Sequence, residues 1–311
     1  SQPSPQTMLT AGQHSSVFSQ VPQIKRGKCT MKAETAKIGI GLLEQLIALA
    51  RARQWGEAAR LAGEAWAADT ENGRLCEVAG LFERAAQNYF AGRRRLERAM
   101  LFVPLRPSTW CALADCYLQS GLYRDARDIY ASVANGPEVP ADILRYCASR
   151  LDSLNESPRA LEVARRVVAM QSDHAQSVYE FGYYLARSGA TASLVMSVMK
   201  RAISLAPEKA IYRLGLAKIV AETGDLSRAL DWVRHLSASQ LDQIECRCCL
   251  ERLAFLYEAG VDPVRAHACR VRMDNLPADS IPPTAIAPYL LVSEFLAEAQ
   301  AACRAEVLSV G

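Results

Sequence analysis

Two groups of side chains have the types and spacing to do chemistry. Cys246, Cys248 and Cys249 lie close together, and His267 and Cys269 follow on the next helical pattern. Thiolates and imidazoles are good zinc ligands, and antiparallel helices could bring the two sets together. The second group is the basic run Arg93, Arg94, Arg95 and Arg98, which could contact phosphates. Neither is read as a site. The cysteines lack the knuckle turn that aims paired sulfurs at one ion, and cysteine is among the most buried residue types, so core packing is expected and no metal. Glu97 interrupts the arginine run and no aromatic residue interleaves with it, so a solvated, salt-bridged helix face is expected.

Catalytic signatures are equally sparse. The pair Gly39-Ile40-Gly41 lacks a third glycine and a preceding strand. No phosphate-loop Gly-Lys-Ser/Thr, His-Glu-x-x-His or Gly-x-Ser-x-Gly occurs, and His14, His174, His235 and His267 are scattered. An enzyme therefore has no residues to stand on, and no cofactor is expected.

The elements that would position any site are helices. Of 311 residues, 50% are hydrophobic but only 7% aromatic, and alanine supplies much of the apolar total. Alanine is the best helix former, whereas aromatic and β-branched residues favour strands. The formal net charge of +3 sits entirely in residues 1–36, where Lys25, Arg26, Lys28 and Lys32 face only Glu34. That segment, rich in Ser, Gln, Thr and Pro, reads as a polar, basic tail. The remainder is neutral, which argues against a general polyanion binder. No apolar window is long enough to span a membrane, and no basic, then apolar, secretory start is visible. Of ten cysteines, nine lie within helical patterns and read as free buried thiols of a reducing compartment, so a cytoplasmic protein is expected.

From about residue 38, apolar residues recur at helical spacing, interrupted by Gly, Pro or Asn/Asp every helix length. The clearest unit runs Trp110, Leu113, Ala114, Tyr117, Gly121, Tyr123, Ala126 and Tyr130. This unit resembles the tetratricopeptide repeat (TPR), and steps of about 34 residues find partial copies before and after it. Gly80, Tyr89, Leu96, Ala99 and Pro104 form one, with Gly92 where the second helix usually has alanine. Leu144, Cys147, Ala148, Leu151 and Ala160 form another. The unit around Gly182 and Gly189 keeps phase only with one extra residue in its turn, and the last, around Leu253 and Ala266, is offset by about three. The division expected is a tail over 1–36, a superhelix of about seven repeats over 37–280, and a terminal helix over 281–311 capping the last repeat's apolar edge.

The resemblance implies an all-α, right-handed α-solenoid whose first helices line a concave groove. Carried onto this sequence, the groove positions include Arg74, Arg84, Asp115, Arg145, Tyr179, Tyr183, Arg187 and Lys218. Tyr and Arg are favoured at binding hot spots, so Arg145, Tyr179, Tyr183 and Arg187 form the central candidate site. Tyr183 and Tyr184 are adjacent, so one of them is expected in the core. The family's carboxylate clamp is absent, because no Asn stands at the matching positions. The resemblance implies a non-catalytic adaptor or assembly scaffold that binds a protein or peptide partner, without membrane insertion. The alternatives are a regulatory or targeting subunit of a larger enzyme or secretion complex, or a nucleic-acid- or metal-binding helical repeat.

Overall fold

The computed structural model describes residues 38–276 and 289–309, and no strand occurs among them. Seven helix pairs follow one another: α1 (Ile40–Arg51) with α2 (Trp55–Ala68), α3 (Gly73–Ala85) with α4 (Tyr89–Ala99), α5 (Pro107–Gln119) with α6 (Tyr123–Ala134), and α7 (Ala141–Ser153) with α8 (Ser157–Met170). Then come α9 (Ala175–Arg187) with α10 (Ala192–Leu205), α11 (Ala210–Glu222) with α12 (Leu226–Val233), the short α13 (Ala238–Asp242), α14 (Arg247–Ala259) with α15 (Pro263–Asn275), and finally α16 (Tyr289–Ser309). The five-residue α13 accounts for the phase offset of the last pair. One extra residue in the turn between α9 and α10 accounts for the other.

The turn inside each pair uses one device. Among the described residues seven have positive φ, one per pair and in the same place: Arg53, Gln87, Gly121, Asn155, Gly189, Gly224 and Val261. A left-handed residue there reverses the chain tightly enough for the two helices to pack antiparallel. Glycine takes that conformation freely and asparagine tolerates it, whereas a β-branched residue such as Val261, at φ 59°, is strained.

Helix starts follow local chemistry. Asn72, Asp225 and Asp262 each accept a backbone N–H of the first turn. Ser157, which precedes Pro158, is the first residue of α8 rather than its cap. Its hydroxyl donates to Asp152 Oδ1 at 2.8 Å, drawn there because a buried carboxylate needs donors.

Between the helices of a pair, small residues meet large ones. Ala114, Ala126 and Tyr130 are fully buried, and Leu113 and Tyr117 nearly so. Gly92 lets α4 approach α3 closely: a Cβ there would stand 3.2 Å from both the Gly80 carbonyl oxygen and the Arg84 backbone nitrogen. That closeness explains glycine where the repeat pattern has alanine.

Each second helix packs on the first helix of the next pair, so the pairs stack in sequence. The first helices of neighbouring pairs also touch, α3 with α5, α5 with α7, α9 with α11 and α11 with α14, whereas second helices do so much less. Closer approach on one side curves the stack, with the first helices inside.

The terminal helix departs from expectation. Rather than cover the last repeat, α16 packs against α1, α3 and α5, the first helices of the opening repeats. It buries Leu291, Val292, Phe295 and Leu296 there. The last pair is a poor seat for an apolar helix: α15 buries only Ala266 and Cys269 and carries Arg265, His267, Arg270 and Arg272.

Candidate functional site

The inner row of first helices is held by polar ties that run from one repeat to the next. In the opening half the centre is Asp115 on α5. Its Oδ1 accepts the Tyr130 hydroxyl at 2.6 Å, and its Oδ2 accepts the Tyr146 hydroxyl at 2.5 Å and a short bond from Arg84 of α3. Arg150 of α7 adds an ion pair at 3.2 Å and donates to the Tyr146 hydroxyl. Burial opposes ionisation of Asp115, but the two guanidiniums and the two phenols outweigh it and hold the carboxyl below its usual range. Nearby, fully buried Glu77 accepts from Arg74 at 2.5 Å and from the Thr109 hydroxyl at 2.6 Å.

In the second half the ties form a ladder. Arg145 of α7 binds Glu180 of α9 bidentately, both bonds at 2.8 Å. Gln176 donates to the same carboxylate at 2.8 Å and accepts the Tyr212 hydroxyl of α11 at 2.9 Å. Asp152 of α7 accepts Arg187 of α9 at 3.1 Å, with the Tyr183 hydroxyl at 3.4 Å. The rings of Tyr179 and Tyr212 stack with centroids 4.7 Å apart. Gly215 makes room for that stack, since a Cβ there would lie 2.6 Å from the Tyr179 hydroxyl. The phenol of Tyr179 is pushed up, chiefly by burial.

The opening half already holds a helix. Arg106, immediately before α5, donates to the Phe295 carbonyl of α16 at 3.1 Å and places its guanidinium 4.5 Å from the centroid of the Phe295 ring.

No protein-family model matches the sequence, and no curated protein matches it. Solved structures do. A tetratricopeptide repeat protein from Parabacteroides merdae aligns with a TM-score of 0.59 at 12% identity, covering 84% of this chain and 98% of that one. The C-terminal part of a TPR repeat-containing protein from Cytophaga hutchinsonii aligns at 0.53 and 15% identity, covering 79% and 98%. The chain has the tetratricopeptide-repeat fold. A third TPR-like match, the Cut9-Hcn1 hetero-tetramer of APC/C, aligns at 0.52 and 12% identity over 83% of this chain and 48% of that one.

Within this TPR groove the candidate residues separate into two kinds. Arg84 and Asp115 are 4% and 3% exposed, so they tie repeats together rather than face a partner. Arg74 is turned onto Glu77 and the Pro104 carbonyl. Arg145 has 15% of its side chain exposed and Arg187 43%. Tyr179 and Tyr183 are half-buried, while Tyr184 is the member of its adjacent pair that enters the core. Lys218 is partly exposed and pairs with Glu222. The more accessible of these candidates are thus Arg187, Lys218 and Tyr183, while Arg145 is mostly covered.

Sequence reasoning missed Arg150, Glu180, Gln176 and Tyr212. Their signal is spacing: Arg145 to Glu180 and Asp152 to Arg187 are 35 residues apart, and Gln176 to Tyr212 36. Complementary groups about one repeat apart meet across neighbouring first helices.

The arginine run on α4 is also more structured than expected. Arg93 lies over the Tyr117 ring, Arg94 over Phe90, and Arg95 and Arg98 over Trp66. Two of these rings come from α2 and α5, which is why the sequence around the run shows no interleaving. Arg93 also pairs with Glu97 at 2.8 Å and Arg95 with Glu83 at 3.5 Å.

The cysteines divide differently from expectation. The sulfurs of Cys246, Cys248 and Cys249 all lie within 4.8 Å of one another, and among the described residues no other His, Cys, Asp or Glu joins the group. Cys269 is buried against the core of the last pair and His267 is exposed on α15. Elsewhere Cys111 and Cys147 face each other as buried thiols at 3.5 Å.

Proposed function

We propose that the chain is a non-catalytic adaptor whose concave TPR groove holds helical or peptide segments of protein partners. The observation that carries this reading is α16. An amphipathic helix of the chain itself is seated on α1, α3 and α5, anchored by Phe295 under Arg106. A groove that accepts one helix by an apolar stripe and a guanidinium has the chemistry to accept another. In the second half, Tyr183, Arg187 and Lys218 offer the polar contacts, and the fixed Arg145–Glu180 pair supplies a rigid backing. Rigid placement reduces the ordering cost of binding.

The same reading covers the compartment. Six of the described cysteines are buried and all eight are free, which fits a reducing setting such as the cytoplasm. No described helix is long and apolar enough to cross a membrane.

A labelled peptide with the sequence of residues 289–309 tests the groove directly. It is expected to bind the chain carrying Phe295→Asp at least tenfold more tightly than the parent, because the parent's own helix competes at high effective concentration. Failure of the peptide to bind either chain would sink the reading.

A further inference from the structure

The thiol cluster at the start of α14 has no part in the groove's polar ties. Cys246 is the residue before the helix and Cys248 and Cys249 lie in its first turn. The backbone therefore aims three sulfurs into one small volume, all within 4.8 Å of one another, with Cys246 and Cys248 only 2.8 Å apart. Metal–sulfur bonds of about 2.3 Å place the sulfurs of a trigonal or tetrahedral site roughly 3.8–4.0 Å apart. The cluster's separations bracket that range, from 2.8 Å for Cys246 and Cys248 up to at most 4.8 Å, so holding an ion requires those two sulfurs to swing apart by about 1 Å. A disulfide would satisfy only two of the three.

We propose that Cys246, Cys248 and Cys249 form a binding site for a thiophilic closed-shell ion, zinc(II) or copper(I). The donor set decides the class. Three sulfurs with no imidazole or carboxylate beside them, among the described residues, select soft ions over magnesium, calcium or manganese. Binding releases the thiol protons to solvent, leaving three thiolates around the ion. The resulting negative charge lies at the positive end of the α14 dipole, next to Arg247. Exposure varies across the three: Cys246 is buried, Cys249 half-buried and Cys248 exposed. The buried members fix the geometry, and the open side at Cys248 admits the ion and leaves room for a solvent ligand on zinc. Cys249 packs on the same apolar core as Tyr179 of the groove, so an ion there would stiffen the junction between the last repeat and the candidate binding surface.

The test uses the full chain, reduced and without oxygen, in two arms: zinc(II) alone against a competing chelator, and copper(I) alone against a copper(I) chelator. One ion per chain is expected in at least one arm. Tight binding in the zinc arm alone identifies a site completed by solvent, and in the copper arm alone a trigonal one. Cys248→Ser, at an exposed position, is expected to weaken binding at least tenfold with unchanged helical circular dichroism. His267→Ala is expected to leave it unchanged. The proposal fails if neither ion is held more tightly by the parent than by Cys248→Ser, or if His267→Ala loses the ion as well.

Discussion

Asp115 on α5 receives the guanidinium of Arg84 from α3, and each side chain is only 4% exposed. Both groups have left water, and the carboxylate is the fully partnered member, since Arg84 bonds through Nη2 while its buried Nε and Nη1 have no hydrogen-bond partner among the described residues. Tyr130, Tyr146 and Arg150 occupy the other positions around the carboxylate. A buried ion pair adds little over an apolar contact, but removing one partner strands the other charge.

Asp115→Asn is therefore expected to cost about 3–5 kcal/mol at neutral pH. The carboxyl is held below its usual value in the folded chain, so its contribution is present above the unfolded carboxylate value of about 3.9 and is lost as pH falls through the lower folded value. Denaturant unfolding at pH 7 and at pH 3 checks this. The gap between parent and variant should shrink on acidification, and an equal gap at both would contradict the assignment.

That network shows where sequence reading stops. The repeat phase was legible because it depends on positions that recur: Gly121 and Gly189 mark the left-handed turns, and Ala114 and Ala126 the close helix contacts. The same device at Arg53, Gln87 and Val261 was hidden, since those residues do not advertise positive φ. Asp115 draws partners from 15 to 35 residues away, and a charge at a groove position looks the same whether it faces solvent or a neighbouring repeat. The seat of α16 was illegible for a related reason. Its apolar stripe says that the helix must be covered, while the partner was decided by Arg106, 189 residues earlier.

Ala126 on α6 is fully buried at a helix contact that depends on a small side chain. Ala126→Leu adds volume where the packing has none to give, and is expected to destabilise by about 1–3 kcal/mol. Thermal unfolding checks it. An unchanged midpoint would mean that the α5 and α6 contact can open at no cost.

Val261 sits at φ 59° with 86% of its surface exposed. It therefore bears the strain of a left-handed β-branched residue without gaining burial. Val261→Gly relieves that strain, worth about 1–2 kcal/mol, against an entropic penalty of about 0.5–1 kcal/mol for glycine in the unfolded chain. A net gain of a few tenths to about 1 kcal/mol is expected, read as a higher unfolding midpoint. A lower midpoint would show that the turn is not strained.

Phe295 is 1% exposed, and Arg106 binds both its ring and its carbonyl. Because α16 rests on the inner helices through one face, its release should be local rather than global. Phe295→Asp places a charge under the Arg106 guanidinium in a seat built for an aromatic ring, and removes the largest apolar side chain of the stripe. The ion pair that could form recovers little of the lost burial, since a partly exposed pair is worth about 0–1 kcal/mol against about 3–5 kcal/mol for a buried Phe. Hydrogen exchange should then speed up across α16 and on the faces of α1, α3 and α5 that it covers, while α9, α11 and α14 keep their protection. Unchanged protection in α16 would mean that Leu291, Val292 and Leu296 hold the helix without Phe295. Loss of protection throughout the stack would mean that α16 is an integral part of the fold rather than an occupant of the groove.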